Sequence, residues 1–171
     1  GISYNTPFPD FSLQTTSGLW QMSTEWTGCD VYIFFNTHPD YDYPVQVWGS
    51  DLGSLIENSP RNAHYFFSSF NQGYEEAEVT ELQDRFDQAV ASLSEEDREH
   101  WTNRFHFVTD SPWTADQIGT LMGARADWAF SIDGHQNLRE VGYLALPSGS
   151  SWVASMNGLA YEARYWTAQI L

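Results

Sequence analysis

A continuous apolar run, Val31 to Phe35, is the segment that most constrains the fold. It contains only β-branched and aromatic residues, and it is bounded by Gly28 and by the polar segment Asn36 to Pro39. Such a run predicts a strand buried on both faces of a sheet, since a solvated face would show polar residues at alternate positions. A second run, Ala63 to Phe67, predicts another strand of the same kind.

Helical patterns separate the predicted strands. We expect a short helix over Ser50 to Glu57, a long helix that begins at the capping box Thr80 to Gln83, and a further helix from Ser94 to Trp101. Apolar residues at helical spacing support the long helix because they form one buried stripe. Strands that alternate with helices indicate parallel strands joined by crossover connections.

The two ends of the chain add hairpins and further helices. The pattern predicts an N-terminal β-hairpin from Phe8–Leu13 and Leu19–Met22, a strand from Arg104 to Val108, a helix from Thr114 to Gly123, an antiparallel pair from Trp128–Ile132 and Leu138–Leu144, and a last helix from Leu159 to Leu171. The order predicts a single α/β domain over residues 1–171, with a central mixed β-sheet, helices on both of its faces and an N-terminal β-hairpin. A length of 171 residues suits one such domain.

The net charge is strongly negative, which excludes some partners. The chain has 23 acidic residues against 7 basic ones, all arginine, and a formal charge of −16. Nucleic acid and membrane surfaces are therefore not expected as partners, because their phosphates would be repelled. Solubility or adaptation to salt is the simplest explanation of the acidity, and a cation-binding surface is the alternative.

The start of the chain and its cysteine count bear on what kind of protein and which compartment it comes from. Because the chain begins with Gly1, we expect it to be excised from, or the N-terminal module of, a larger bacterial protein. An extracytoplasmic or secreted location is favoured. A single cysteine, Cys29, excludes an internal disulfide framework.

Several short motifs occur in the order that one family shows. They are Pro9 to Leu13, the turn at Gly18, Trp26 to Gly28, the strand Val31 to Phe35, and the late segment Phe130 to Gly134 followed by Leu138 to Gly142. Together these motifs resemble the redoxin branch of the thioredoxin-like superfamily, which includes peroxiredoxins and thiol-disulfide oxidoreductases. The resemblance implies a thioredoxin-like fold.

The departure from this family falls on its chemistry. In active members the loop after the Phe-Phe strand carries the nucleophilic cysteine, whereas here Asp40 and Tyr43 occupy the dithiol positions and Pro44 the peroxidatic position. The family's cis-proline position corresponds to Asp127, where we expect an ordinary trans peptide bond. The resemblance therefore implies a degenerate active site without dithiol or peroxidatic activity.

Cys29 is the other candidate nucleophile and supports an alternative, a one-cysteine redox protein. It precedes the first buried strand, about 25 Å from His38 at the rise of an extended chain. No His or Arg neighbours it in sequence, so we expect an ordinary, partly buried thiol.

The loop after Phe35 remains a candidate binding surface. Its aromatic and polar residues, with two from the cis-proline region, form the predicted set: His38, Asp40, Tyr41, Asp42, Tyr43, Trp48, Asp127 and Trp128. Core packing is an alternative role for Trp48. We expect a non-catalytic binding or scaffolding module whose partner is a protein or a neighbouring domain of the same polypeptide.

His38, Asp40 and Asp42 also support a metal-dependent or carboxylate-based site as an alternative. Calcium needs six to eight oxygen ligands and zinc a closed tetrahedral set, and this loop alone supplies neither. No metal or other cofactor is therefore expected.

Overall fold

The structure is a computed structural model that describes residues 7–37, 52–69, 71–110 and 128–143. Within these ranges the elements are β1 (Ser12–Thr15), β2 (Gly18–Gln21), α1 (Met22–Glu25), β3 (Val31–Thr37), α2 (Leu52–Asn58), β4 (Ala63–Ser69), α3 (Glu75–Val90), α4 (Glu95–Thr102), β5 (Phe105–Phe107), β6 (Trp128–Ile132) and β7 (Leu138–Tyr143). Of the described helices, none combines the length and the apolar character needed to cross a bilayer.

A mixed sheet organises these elements. In the described part of the chain its strand order is β5-β4-β3-β6-β7. Strands β3, β4 and β5 are parallel, while β6 and β7 run antiparallel to their neighbours. The predicted mixed sheet, the N-terminal hairpin β1–β2 and the late hairpin β6–β7 are thus confirmed.

One face of the sheet is covered by helices. Alternate strand residues point to this face and pack against apolar residues of α2, α3 and α4; they are Val31, Ile33, Ala63, Tyr65, Phe67, Phe105 and Phe107. The stripe of α3 consists of Val79, Leu82, Phe86 and Val90, which are spaced so that they share one side of the helix. Burial of this stripe stabilises α3, whose solvent side is rich in carboxylates.

The hairpin and its neighbours cover the opposite face. Its core contains Leu13 and Trp20 of the hairpin, Met22 of the one-turn helix α1, and the alternate strand residues Tyr32, Phe34 and Phe66. Phe34 and Phe66 stack with ring centroids 4.4 Å apart. The predicted helices at 114–123 and 159–171 lie outside the described residues.

Two helix starts show how local signals were resolved. The prediction for Ser94 is confirmed, because its side chain accepts a hydrogen bond from the Asp97 amide at 3.1 Å. The prediction that the long helix begins at Thr80 was wrong, since α3 already begins at Glu75. The turn before it has Gly73 at φ +85°, and the Gly73 amide donates to the Glu75 carboxylate at 2.7 Å.

Substitution of Leu82 with alanine tests the helical layer. Leu82 is fully buried, so L82A should lower the free energy of unfolding by about 2–5 kcal/mol. Leu19 is 64% exposed, and L19A should change the free energy of unfolding by less than about 0.5 kcal/mol. Urea unfolding of both variants checks this, and equal effects would contradict the described packing of α3.

Candidate functional site

The chain leaves β3 and enters β6 at the same edge of the sheet. Phe35 pairs with Ala129 across the antiparallel β3–β6 contact. On the other side, Thr37 pairs with Ser69 at the end of β4. We call the edge formed by Thr37, Ser69 and Trp128 the carboxyl edge, because β3 and β4 end there. It is the edge from which the predicted binding loop departs.

Most of the predicted site residues cannot be located relative to this edge. His38, Asp40, Tyr41, Asp42, Tyr43, Trp48 and Asp127, together with the expected trans bond, lie outside the described residues. Trp128 is described for its backbone alone, as the first residue of β6 and paired with Tyr143. The binding and metal roles of this set therefore stay predictions.

A polar network holds the carboxyl edge of β4 against α3. The Glu78 carboxylate accepts hydrogen bonds from the Ser69 hydroxyl and from Asn71 Nδ2, the latter at 2.5 Å. The backbone amide of Asn71 in turn donates to Ser69 Oγ at 3.0 Å. Ser69 is fully buried, so the network satisfies a hydroxyl that water cannot reach. It also fixes the chain where β4 ends.

The amino end of α3 does not favour an anionic ligand. Its first turn carries Glu75, Glu76 and Glu78. These carboxylates complement the positive end of the helix dipole, and they would repel a phosphate or a carboxylate ligand. Across the described ranges, no group of three His, Cys, Asp or Glu residues is placed to hold a metal ion.

Cys29 lies at the other end of β3, as the sequence predicted. It precedes Val31 by two residues, and Asp30 and the seven residues of β3 separate it from the carboxyl edge by about 25 Å. Its amide donates to Thr27 Oγ1 at 3.2 Å, and its carbonyl accepts from Asn62 Nδ2 at 3.0 Å. The expected partial burial was wrong, because the thiol is exposed in the loop before the strand.

A chain of polar side chains crosses the sheet near this amino end. His64 Nε2 lies 3.3 Å from Asp30 Oδ2, and His64 Nδ1 lies 3.0 Å from His106 Nε2. Thr27 Oγ1 donates to the same Asp30 oxygen at 2.8 Å. We call Asp30, His64 and His106 the histidine relay. It connects β4 and β5 to the residue that precedes β3.

Strand register places the relay on one face of the sheet. His64 pairs with Tyr32 of β3, and His106 pairs with Phe66 of β4. Asp30 precedes Tyr32 by two residues, so all three relay side chains face the hairpin side of the sheet. From Asp30 to His106, each relay residue lies two residues further along the strand direction than the one before. The aromatic neighbours enclose them, with Phe66 stacked on His106 at 4.3 Å.

The hydrogen-bond geometry determines where the imidazole hydrogens lie. An ionised Asp30 can only accept, so His64 Nε2 carries a hydrogen and donates to it. A neutral His64 then presents the lone pair of Nδ1, to which His106 Nε2 donates. Both rings are therefore in the Nε2–H tautomer when neutral.

The electrostatics of the relay favour an ionised Asp30 carboxylate and a neutral His106 imidazole. Burial tends to raise the pKa of Asp30, but hydrogen bonds from His64 and Thr27, with the charges of His64 and Arg104, hold that pKa below its ordinary value. Burial is also the largest cause that holds the pKa of His106 well below 6.5, followed by the charges of His64 and Arg104. Burial raises the pKa of the adjacent Tyr32 hydroxyl.

A cleft of about 560 Å³ opens between α2, α3 and α4. Ile56, Leu93 and Trp101 supply much of its apolar lining, and Arg61 and Asp97 form a half-exposed ion pair at 2.7 Å beside them. An exposed pair of this kind contributes less than about 1 kcal/mol. The Arg61 guanidinium is already paired, so the cleft offers no free cation from that residue to a ligand.

Comparison with solved structures defines the class: the fold is thioredoxin-like, and the similar proteins are redoxin-like. One is a putative thiol:disulfide interchange protein DsbE from Chlorobium tepidum, with 13% identity, a TM-score of 0.52, and coverage of 98% of this chain and 99% of that chain. A yeast mitochondrial 1-Cys peroxiredoxin has 15% identity, a TM-score of 0.55, and coverage of 99% and 79%.

BsSco, a member of the Sco family of cytochrome c oxidase assembly proteins, is similar over 98% of both chains, with 9% identity and a TM-score of 0.55. A scan of protein-family models finds no match to the sequence, and a search of curated proteins finds none either. The likeness to solved structures, at these identities, shows the fold alone. It confirms the fold that the sequence motifs implied.

Sequence reasoning missed the histidine relay. One signal was present in the sequence: His64 and His106 are each a single polar residue between apolar neighbours in a predicted strand. A polar residue in a buried strand needs a partner. The identity of that partner depended on the strand order, which placed β4 between β3 and β5.

Replacement of Asp30 with asparagine tests whether the relay is a charge-assisted network. D30N removes the carboxylate that His64 and Thr27 contact, and it should lower the free energy of unfolding at pH 7 by about 1.5–3 kcal/mol. D87N is the matched control. Burial, followed by the charge of Asp84, raises the pKa of Asp87, so neutralisation there should cost less than about 0.5 kcal/mol. Equal losses in urea unfolding would contradict the network.

Proposed function

We propose that this chain is a non-catalytic thioredoxin-fold module that binds a protein or a neighbouring domain, without dithiol or peroxidatic activity. The observation that carries the proposal is the position of its one cysteine. Cys29 is exposed at the amino end of β3, whereas redoxin-like proteins place their nucleophile after that strand. Dithiol exchange also needs two thiols in contact, and this sequence contains one.

The surroundings of Cys29 support the same conclusion. A reactive thiol needs a neighbouring cation or a helix amino terminus that stabilises the thiolate. The charged residue next to Cys29 in the chain is Asp30, whose carboxylate is buried and bonded to His64 and Thr27. The backbone of Cys29 is hydrogen-bonded to Thr27 and Asn62, whose side chains are uncharged.

Binding at the carboxyl edge is supported by its construction. The network of Ser69, Asn71 and Glu78 anchors the end of β4, and a rigid strand end is a suitable base for a recognition loop. Tyr41, Tyr43 and Trp48 belong to the segment that follows β3, and aromatic residues with a polar edge are common in interfaces. A location outside the cytoplasm is part of the same proposal.

Redox assays test whether the chain lacks dithiol and peroxidatic activity. The wild-type chain should show no catalysed reduction of insulin by a dithiol and no catalysed consumption of hydrogen peroxide, in both cases equal to buffer alone. C29S should behave identically and keep the same melting temperature, because the Cys29 thiol is exposed. Turnover in the wild type that C29S abolishes would establish the one-cysteine alternative instead.

Substitution of two loop tyrosines tests the binding surface. Y41A and Y43A should each weaken capture of a partner from extracts of the source organism by about tenfold, the effect of losing an interface residue worth 1–2 kcal/mol. Their melting temperatures should not change. Tyr74 is 61% exposed before α3, and Y74A is the matched control that should leave capture intact. Capture unchanged in both loop variants would contradict this placement of the surface.

A further inference from the structure

The hairpin β1–β2 is docked on the strand that carries the last residue of the histidine relay. The Thr16 amide donates to the Phe107 carbonyl at 2.9 Å, and the Thr109 amide donates to the Gln14 carbonyl at 2.9 Å. Phe107 follows His106 directly in β5. The backbone contacts of the hairpin therefore begin one residue away from the relay.

Side-chain packing joins the same two parts. The Trp20 ring of β2 lies 5.8 Å from the His106 ring and 4.7 Å from the Phe66 ring, measured between centroids. Trp20 also packs against Tyr32 at 5.9 Å. The relay thus lies beneath the hairpin, in contact with the Trp20 ring through His106.

The geometry of the two histidines limits how many protons they can hold. One added proton makes the ring that receives it a donor at both nitrogens, and the His64–His106 hydrogen bond survives only if the other ring presents a lone pair. With both rings protonated, two N–H groups face each other across 3.0 Å. Two like charges then also lie together, with ring centroids 5.3 Å apart.

We propose that the histidine relay is an acid-sensitive latch: protonation of both imidazoles breaks the His64–His106 bond and releases the hairpin β1–β2 from β5. The release exposes the aromatic face that Trp20 covers at neutral pH. The α2–α4 layer lies on the other side of the sheet and stays folded when the hairpin opens. This function is separate from the carboxyl edge and does not depend on binding there.

Several charged and titratable groups lie around the relay, and the His106 pKa sets the direction of its pH dependence. Asp30 and Tyr32 face it from β3 and Arg104 from the segment before β5, while Asp110 contacts the hairpin through the Gln14 amide at 2.7 Å. The folded state holds the His106 pKa below its unfolded value, so stability from this residue is complete above about pH 6.5 and declines as the pH falls below it.

Hydrogen exchange of selected amides tests the latch in the wild-type chain. The amides of Thr16 and Thr109 report hairpin docking, and those of Leu82 and Phe86 report the helical layer. The closed relay can accept the first proton with its bond intact, so opening takes up only the second. After correction for intrinsic exchange, opening at the first pair should therefore rise about tenfold from pH 7.5 to 5.5. The α3 amides should not follow. No rise, or an equal rise at all four amides, would overturn the proposal.

A phenylalanine in place of His106 separates titration from packing. H106F keeps a ring between Phe66 and Trp20 but takes up no proton, so the pH dependence at Thr16 and Thr109 should disappear. H100F in α4 removes a histidine outside the relay and should leave that pH dependence intact, as should D110N. An acid response that persists in H106F would overturn the latch.

Nitrogen NMR of the wild-type imidazoles tests the relay without any substitution. At pH 7.5 the His106 ring should show the Nε2–H tautomer and a hydrogen bond to His64 Nδ1, and this hydrogen bond should be lost on acidification. A His106 ring in the Nδ1–H tautomer at pH 7.5, or a His64–His106 hydrogen bond that persists at pH 5.5 while the hairpin opens, would overturn the proposal even if H106F did not fold.

Discussion

Burial of β4 on both faces is the constraint on which the rest of the structure depends. All seven residues from Ala63 to Ser69 are buried, so each face of the strand requires a covering layer. The helices α2, α3 and α4 cover one side with an aliphatic and aromatic layer. The hairpin β1–β2 and its flanking aromatic residues cover the other. Parallel pairing with β3 and β5 satisfies the backbone of a strand that water cannot reach.

The same constraint explains the two polar networks. Toward its amino end β4 carries His64, and at its carboxyl end it carries Ser69, both with almost no exposure. A buried polar group without a partner costs about 1–3 kcal/mol, so each needs neighbours from other elements. His64 finds Asp30 and His106 on the adjacent strands. Ser69 finds Glu78 on α3, so one network ties β4 to its neighbours in the sheet and the other ties it to the helical layer.

The extent of successful sequence prediction follows from the range of each interaction. The β3 and β4 runs and the Ser94 cap are local signals, and the structure confirms them. The start of α3 was missed because a good capping box at Thr80 competes with an earlier turn at Gly73, and burial of Val79 favours the earlier start. The relay was missed because Asp30 and His64 are 34 residues apart, and His106 is 42 further on. Pairings of that length depend on strand order.

The two cores of the described domain and the strand pairing at its centre do not depend on a thiol. The cores on both faces and the β3–β4 pairing consist of apolar side chains and backbone hydrogen bonds, and neither involves a thiol. The fold therefore needs no cysteine in the segment after β3, and the sequence has none there. Cys29 lies at the amino end of β3, with the strand between it and the carboxyl edge. The burial of the sheet thus sets its own demands on sequence, and these demands do not include the chemistry of the segment that follows β3.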